Sequence, residues 1–139
     1  MEIRIATEKD AVALFELNRL FENEATVEAI AESLQKNDSE VVCIAYEGNV
    51  AAGYCAGIII RSMCYDSRRV DVESLFVREE YRKRGVAAAL LKCLEDAITA
   101  RGIYHFHIMT SITNERALAL YKKIGYVRKD QILLEKDVE

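Results

Sequence analysis

The chain has 139 residues, of which 51% are hydrophobic and 30% charged, and this composition predicts one globular domain with an ordinary core. Its formal net charge is −4, and residues 1–40 carry ten Asp/Glu against four Lys/Arg. This acidic first segment argues against a nucleic-acid partner, for which clustered basic charge is expected. The charged start indicates no signal peptide, and no apolar run is long enough to predict a membrane partner.

The four cysteines, Cys43, Cys55, Cys64 and Cys93, form no Cys-x-x-Cys pair. No His stands at metal-ligand spacing from them, so the sequence predicts no metal site. We interpret them as buried, reduced thiols of a cytoplasmic protein, because three lie in strand-like runs and one on an apolar helix face.

The N-terminal third reads as one strand followed by two acidic helices. Residues 2–6 alternate apolar and charged side chains, as a half-buried strand does. Thr7, followed three residues later by Asp10, is typical of a helix start, and an apolar stripe then extends to Phe21. Thr26 is the expected cap of the second helix.

The next segment predicts an antiparallel meander of three or four strands. Residues 41–46 form a short apolar run, 47–49 a turn, and 50 to about 64 a longer strand. A further turn at 66–68 leads into a strand that begins at Val70.

The strand from Val70 changes its phase. Apolar residues fall at Val70 and Val72, and the pattern then resumes one position late at Leu75 and Val77. A one-residue slip in a period of two indicates a β-bulge, which we place just after Glu73.

A basic turn follows this strand and opens directly into a helix that ends near Gly102. The first amides of a helix lack partners within the helix, and the helix dipole favours negative charge there, so the geometry suits a pyrophosphate. Gly85 permits close approach to the backbone, and small side chains keep the first turn open. The residues of this predicted phosphate loop are Arg82, Lys83, Arg84, Gly85, Val86, Ala87 and Ala88.

The C-terminal part continues as strand, helix and hairpin. Residues 103–110 form the fifth strand, which should run parallel to the Val70 strand because a crossover helix separates the two. A helix over 117–124 ends at Gly125, and strands at 126–128 and 132–135 form a last hairpin. The predicted fold is therefore α/β (α+β), with a mixed sheet of six to seven strands and about four helices.

Two motifs in this order resemble a known family. The pattern Arg82-x-x-Gly85-x-Ala87, placed between a bulged strand and an alanine-rich helix, resembles the acyl-CoA site of the GNAT superfamily of N-acetyltransferases. A second segment over 114–126 is similar to that family's second motif, in which an Asn opens a helix that carries a Tyr and ends in Gly plus an aromatic residue. The two motifs span residues 70–126.

The resemblance implies direct transfer of an acetyl group from acetyl-CoA to a primary amine, without a metal. The acceptor would be a small molecule or a peptide amine, and a homodimer is left open. The pantetheine arm would lie beside the bulged strand and bond to its backbone. The cofactor contacts implied in addition to the phosphate loop are Leu75, Phe76, Val77 and Asn114.

Glu73 and Tyr121 are the catalytic candidates that the resemblance implies. Glu73 would act as the general base on the amine, and Tyr121 as the general acid for the leaving thiolate. Glu73 as a surface residue and Tyr121 as a packing residue remain alternatives. Asn114 is equally suited to capping its helix.

Other reactive side chains have plainer interpretations. His105 and His107 alternate along the fifth strand and are interpreted as ordinary sheet residues, although a His could serve as base. Cys93 lies on the apolar stripe of its helix, which favours a core position over a nucleophile.

The acceptor itself is specified least. The resemblance implies acceptor contacts near residues 21–26 and 61–69, where Glu22 and Glu24 favour a cationic amine such as a polyamine, an aminoglycoside or a lysine side chain. A non-catalytic CoA-binding regulatory module is the main alternative. A dinucleotide-binding domain is disfavoured because the chain lacks a Gly-x-Gly-x-x-Gly motif.

Overall fold

The computed structural model describes all 139 residues, which divide into two compact units, residues 1–109 and residues 110–139. The strands are β1 (Glu2–Ile5), β2 (Glu40–Glu47), β3 (Val50–Ile60), β4 (Arg69–Val77) and β5 (Phe106–Ile108). The helices are α1 (Ala11–Leu20), α2 (Val27–Lys36), α3 (Val86–Thr99) and α4 (Glu115–Lys123). None of these helices combines the length and the apolar character that a membrane span requires.

The first unit is built on one mixed sheet in the order β1-β2-β3-β4-β5. Its first four strands pair antiparallel, and β4 pairs parallel with β5. The predicted meander followed by a parallel β4-α3-β5 unit is confirmed. The predicted number of six to seven strands is wrong, because the sheet has five.

The two faces of the sheet carry different helices. On one face, α1 and α2 cover residues of β2 and β3 that include Val42, Ile44, Tyr54 and Ala56. On the other face, α3 approaches closely at Gly57, where a Cβ atom would lie 2.8 Å from Val70 Cγ1 and 3.1 Å from Leu94 Cδ2. Glycine at this point is therefore what allows α3 to pack against β3.

The start of α1 is organised by a buried carboxylate. Asp10 is 3% exposed and accepts hydrogen bonds from the Thr7 backbone N–H (2.8 Å), from Nη1 and Nη2 of Arg4 (2.8 and 2.9 Å) and from the Tyr46 hydroxyl (2.8 Å). The expected pairing of Thr7 with Asp10 is present, although a 3-10 turn (Glu8–Asp10) precedes the α-helix. Thr26 caps α2 as predicted, since its Oγ1 accepts from the Ala29 N–H at 3.1 Å.

The second unit holds α4 and no strand. The hairpin predicted over 126–128 and 132–135 is therefore wrong. Within this unit the apolar side chains of Ile132, Leu133 and Leu134 stay 83%, 69% and 83% exposed. An isolated two-stranded hairpin is marginal at best in water, so an alternating pattern alone does not produce the strands.

Candidate active site

The predicted bulge lies at Glu73. On β3, Ala56 faces Ser74 and Gly57 faces Val72, so Glu73 is the extra residue of β4. A bulge bends its strand and redirects the side chains beside it. Because of this bend, Glu73 and Ser74 both reach the α1–α2 face of the sheet, where they line a cavity.

The pairing between β4 and β5 stops just before this bulge. Val70, Asp71 and Val72 pair with β5, whereas the residues beyond the bulge pair only with β3, on their other side. The backbone of Leu75, Phe76 and Val77 is therefore unpaired along the β5 edge. This is the stretch for which backbone contacts with pantetheine were expected.

Two arginines fix the connection between β4 and α3. The Arg78 backbone N–H donates to Ala52 O at 2.8 Å, and its Nε donates to Ala51 O at 2.7 Å. Arg82 Nε donates to Val77 O at 2.9 Å, and its guanidinium lies 5.8 Å from the centre of the Phe76 ring. Arg82, expected to contact phosphate, thus holds the loop against β4 through Nε.

The loop presents a series of unpaired backbone donors. Lys83 and Gly85 adopt left-handed conformations, with φ of 64° and 78°, and α3 begins directly afterwards. The amides of residues 83–88 donate no hydrogen bond to another group of the protein. Successive N–H groups of this kind, at the start of a helix, form an anion-binding concavity.

Gly85 leaves open space in front of these donors. A Cβ atom at this position would meet nothing within 4 Å, so the cost of a side chain there comes from the φ of 78° rather than from a clash within the protein. Lys83 and Arg84 are exposed beside the concavity, and the Arg84 guanidinium lies 5.5 Å from the centre of the Tyr81 ring. The residues present therefore fit a pyrophosphate.

A cavity of about 420 Å³ lies between the α1–α2 face of the sheet and the segments of α1 and α2 that cover it. Its acidic members are Glu24, Glu40 and Glu73, and no Lys, Arg or His lines it. Glu40 accepts a hydrogen bond from Ser33 Oγ at 2.6 Å. The cavity is thus suited to a group that carries positive charge.

Three polar residues of this cavity were not predicted from the sequence. Tyr54 is 4% exposed, and its hydroxyl donates to Asn18 Oδ1 at 2.6 Å and accepts from Asn23 Nδ2 at 3.0 Å. Burial raises the pKa of Tyr54, so its hydroxyl stays protonated. The partners lie 31 and 36 residues apart along the chain, and only the tertiary structure brings them together.

Asn114 and Tyr121 lie in the second unit. Asn114 caps α4, since its Oδ1 accepts from the Ala117 N–H at 3.2 Å. The Tyr121 ring packs edge-on against Tyr126, with 5.8 Å between ring centres. The capping role of Asn114 is present, and the roles in acetyl transfer expected for both residues stay predictions.

The two His side chains lie beside each other, and two of the Cys side chains are buried. The Nε2 atoms of His105 and His107 lie 3.0 Å apart, and His107 Nδ1 lies 3.8 Å from Asp71 Oδ1. Burial raises the pKa of Cys43 and raises that of Cys55 to about 12, so both thiols stay protonated within the core. The expected burial of all four cysteines is wrong, because Cys64 is exposed and Cys93 is half-buried. No three His, Cys, Asp or Glu side chains are arranged to hold a metal ion.

Comparison with known proteins gave consistent matches. The model of the acetyltransferase (GNAT) family matches residues 9–126. An acetyltransferase of Yersinia pestis (strain Pestoides F) is 31% identical over 139 residues, which cover 98% of this chain and 94% of the relative. Acetyltransferase ECA0875 of Pectobacterium atrosepticum is 29% identical over 140 residues, with coverage of 98% and 94%.

Solved structures share the fold. Aminoglycoside N-acetyltransferase AAC(6')-Iy in complex with CoA superposes with a TM-score of 0.85 at 22% identity, covering 99% of both chains. An aminoglycoside acetyltransferase from an uncultured soil metagenomic sample, in complex with sisomicin, superposes with a TM-score of 0.86 at 16% identity, covering 99% of this chain and 95% of the other.

Proposed function

The chain belongs to the acetyltransferase (GNAT) family, and from this membership we propose that it transfers an acetyl group from acetyl-CoA to a primary amine of a cationic acceptor. The observation that carries the proposal is the run of free amides over 83–88, entered from a bulged strand and continued by α3. We expect the protein to act in the cytoplasm.

Under this proposal, the phosphate loop binds the diphosphate of acetyl-CoA. The free amides donate to phosphate oxygens, the N-terminal end of α3 favours their charge, and Lys83 and Arg84 add cationic contacts. Arg82 contributes by holding the loop on β4 through its bond to Val77 O. The unpaired backbone of Leu75, Phe76 and Val77 binds the amides of the pantetheine arm.

Acetyl-CoA supplies the acetyl group as a thioester, whose C–S bond breaks as the amine nitrogen bonds to the carbonyl carbon. Glu73 accepts a proton from the attacking amine, directly or through a water molecule, because an ammonium has no lone pair with which to attack. Tyr121 donates a proton to the departing thiolate. Asn114 contributes a side-chain amide to cofactor binding in addition to its helix cap.

The acidic lining of the cavity beside Glu73 supports the proposal that the acceptor is cationic. Its three carboxylates face no cation among the lining residues, so an ammonium group would be stabilised there, while an anionic amino acid would be repelled. Polyamines, aminoglycosides and lysine side chains meet this description. Two of the solved structures that share the fold are of aminoglycoside acetyltransferases.

The test is an acetylation screen in which thiol release from acetyl-CoA is followed with polyamines, aminoglycosides, lysine peptides and acidic amino acids as acceptors. We expect turnover with the polycationic amines and much less with the acidic amino acids. A preference for acidic amino acids would contradict the cationic acceptor, and binding of acetyl-CoA without turnover on any amine would contradict the transfer reaction.

A further inference from the structure

The turn between α1 and α2 is held in an unusual backbone conformation. Glu22 has a φ of 62°, which is a left-handed backbone conformation. A residue other than glycine adopts this conformation at least roughly fivefold less often than a right-handed one, unless its surroundings hold it there. The Asn23 backbone N–H donates to Asn18 O at 2.8 Å. Contacts with the rest of the protein must therefore maintain this turn.

The polar contacts between this turn and the sheet meet at Tyr54. Its hydroxyl joins Asn18, on α1, to Asn23, in the turn, and the two amide side chains also contact each other at 3.3 Å. The Phe21 ring adds an apolar contact with Phe76 of β4, with 5.1 Å between ring centres. The turn is thus attached to two strands of the sheet.

This network and the acidic residues surround the same cavity. Asn18, Asn23 and Tyr54 line it together with Glu24, which directly follows Asn23 in the turn, and Glu73 at the bulge of β4. The position of the turn therefore determines where the Glu24 carboxylate stands relative to Glu73. Tyr54 belongs to β3, the strand that pairs with β4 on both sides of the bulge. Its hydrogen bonds therefore fix the position of the turn relative to Glu73.

We propose that Tyr54, with Asn18 and Asn23, is a positioning cluster for acceptor specificity, which holds Glu24 across the cavity from Glu73. This rests on the proposed function, in which the cavity receives the acceptor. Glu24 then binds a second positive charge of an acceptor whose reacting amine is at Glu73. The cluster thereby favours acceptors with two or more ammonium groups over acceptors with one.

Tyr54→Phe tests the cluster because it removes the hydroxyl and keeps the ring. Both Asn side chains lose a buried partner, a loss that corresponds to roughly a tenfold change in an equilibrium constant. We expect the KM for spermine to rise roughly tenfold, with little change in kcat or in the KM for acetyl-CoA. The preference for spermine over a monoamine should decrease by a similar factor.

Tyr46→Phe is the matched control. Tyr46 is on the neighbouring strand β2, its hydroxyl donates to Asp10 at 2.8 Å, and it does not line the cavity. We expect this variant to lose comparable stability while it keeps the KM and the preference for spermine. An equal rise in KM for both variants would overturn the positioning role, as would a Tyr54→Phe enzyme with an unchanged spermine KM.

Calorimetric titration with spermine separates this inference from the proposed function. If the wild-type protein transfers no acetyl group, the proposed function fails. Spermine affinity that is roughly tenfold weaker in Tyr54→Phe, and unchanged in Tyr46→Phe, would still support the positioning cluster. Equal affinity in all three proteins, or no spermine binding by the wild type, would overturn it.

Discussion

The phosphate loop and the acidic cavity are assigned to the two substrates, yet they are constructed in different ways. The loop is a contiguous segment whose donors are backbone amides, and the positive φ angles of Lys83 and Gly85 shape it. The cavity is lined by side chains from α1, α2 and three strands, with hydrogen bonds between residues more than 30 positions apart. A short motif is therefore enough to encode the first site, whereas the second depends on the whole fold.

Gly85→Val should have the largest effect, and it should impair the phosphate loop without impairing the acidic cavity. A β-branched residue at a φ of 78° is strained, and its side chain would occupy the space that the phosphates need. We expect the affinity for acetyl-CoA to decrease by roughly 100-fold or more, as measured by calorimetry, while spermine affinity is retained.

Gly102→Val is the control for that substitution, because Gly102 has a φ of 79° and is equally free of neighbours, but lies after the C-terminal end of α3. The same backbone strain should lower stability without weakening acetyl-CoA binding. Similar losses of affinity in both variants would mean that Gly85 acts through stability alone.

Glu73→Gln should lower kcat by roughly 100-fold, since the amine loses its proton acceptor, and should leave acetyl-CoA affinity unchanged. Steady-state kinetics with a saturating amine measure the effect. Glu47→Gln is the control, because Glu47 ends β2, does not line the cavity and pairs its carboxylate with the N-terminal amine at 3.6 Å. If Glu73→Gln turns over as fast as Glu47→Gln, the base is another group or the solvent.

Tyr121→Phe should reduce kcat by roughly tenfold while acetyl-CoA still binds, because the thiolate would leave without a proton donor. Tyr126→Phe removes a hydroxyl from the other member of the same ring pair and should keep full turnover. Full activity of Tyr121→Phe would assign Tyr121 to packing.

The smallest effect is expected for a substitution of Asp10. It should affect the phosphate loop and the acidic cavity equally, because it lowers the stability of the fold that carries both. The hydrogen bonds from Arg4 lower the pKa of Asp10 to about 2, below the value of an unfolded chain. The ionised form therefore stabilises the fold by about 2 kcal/mol above about pH 4, and this contribution is lost as the pH falls toward 2.

Denaturant unfolding of the wild type and of Asp10→Asn at several pH values would measure this contribution. We expect the difference in free energy of unfolding to be largest near neutral pH and to shrink below about pH 4. A difference that does not depend on pH would show that the Asp10 charge is not the stabilising element.

The parts of the fold that follow local patterns were predictable. The phase slip in the Val70 strand identified a bulge, which lies at Glu73 itself rather than just after it. Thr26 identified the start of α2, and the apolar stripe with Gly102 identified α3. The prediction of a last hairpin failed, because a strand requires a partner edge and an alternating pattern cannot supply one. β5 is likewise shorter than its apolar run suggests.

Within the candidate site, too, the features encoded by adjacent residues were predictable, and those that depend on tertiary contacts were not. The sequence identified the loop over 82–88, since a basic turn, a Gly and a helix start are adjacent along the chain. It gave no indication that Tyr54, Asn18 and Asn23 meet, because Tyr54 reads only as an inward-facing strand residue. It also could not show that Arg82 Nε bonds to the backbone of β4.

The central claim is that the free amides before α3 bind the diphosphate of coenzyme A. A titration of the isotope-labelled protein with acetyl-CoA, followed by amide chemical shifts, tests it residue by residue. We predict the largest downfield shifts at residues 83–88, with smaller changes along Leu75, Phe76 and Val77. Unchanged signals at residues 83–88 on a saturated protein would contradict the claim.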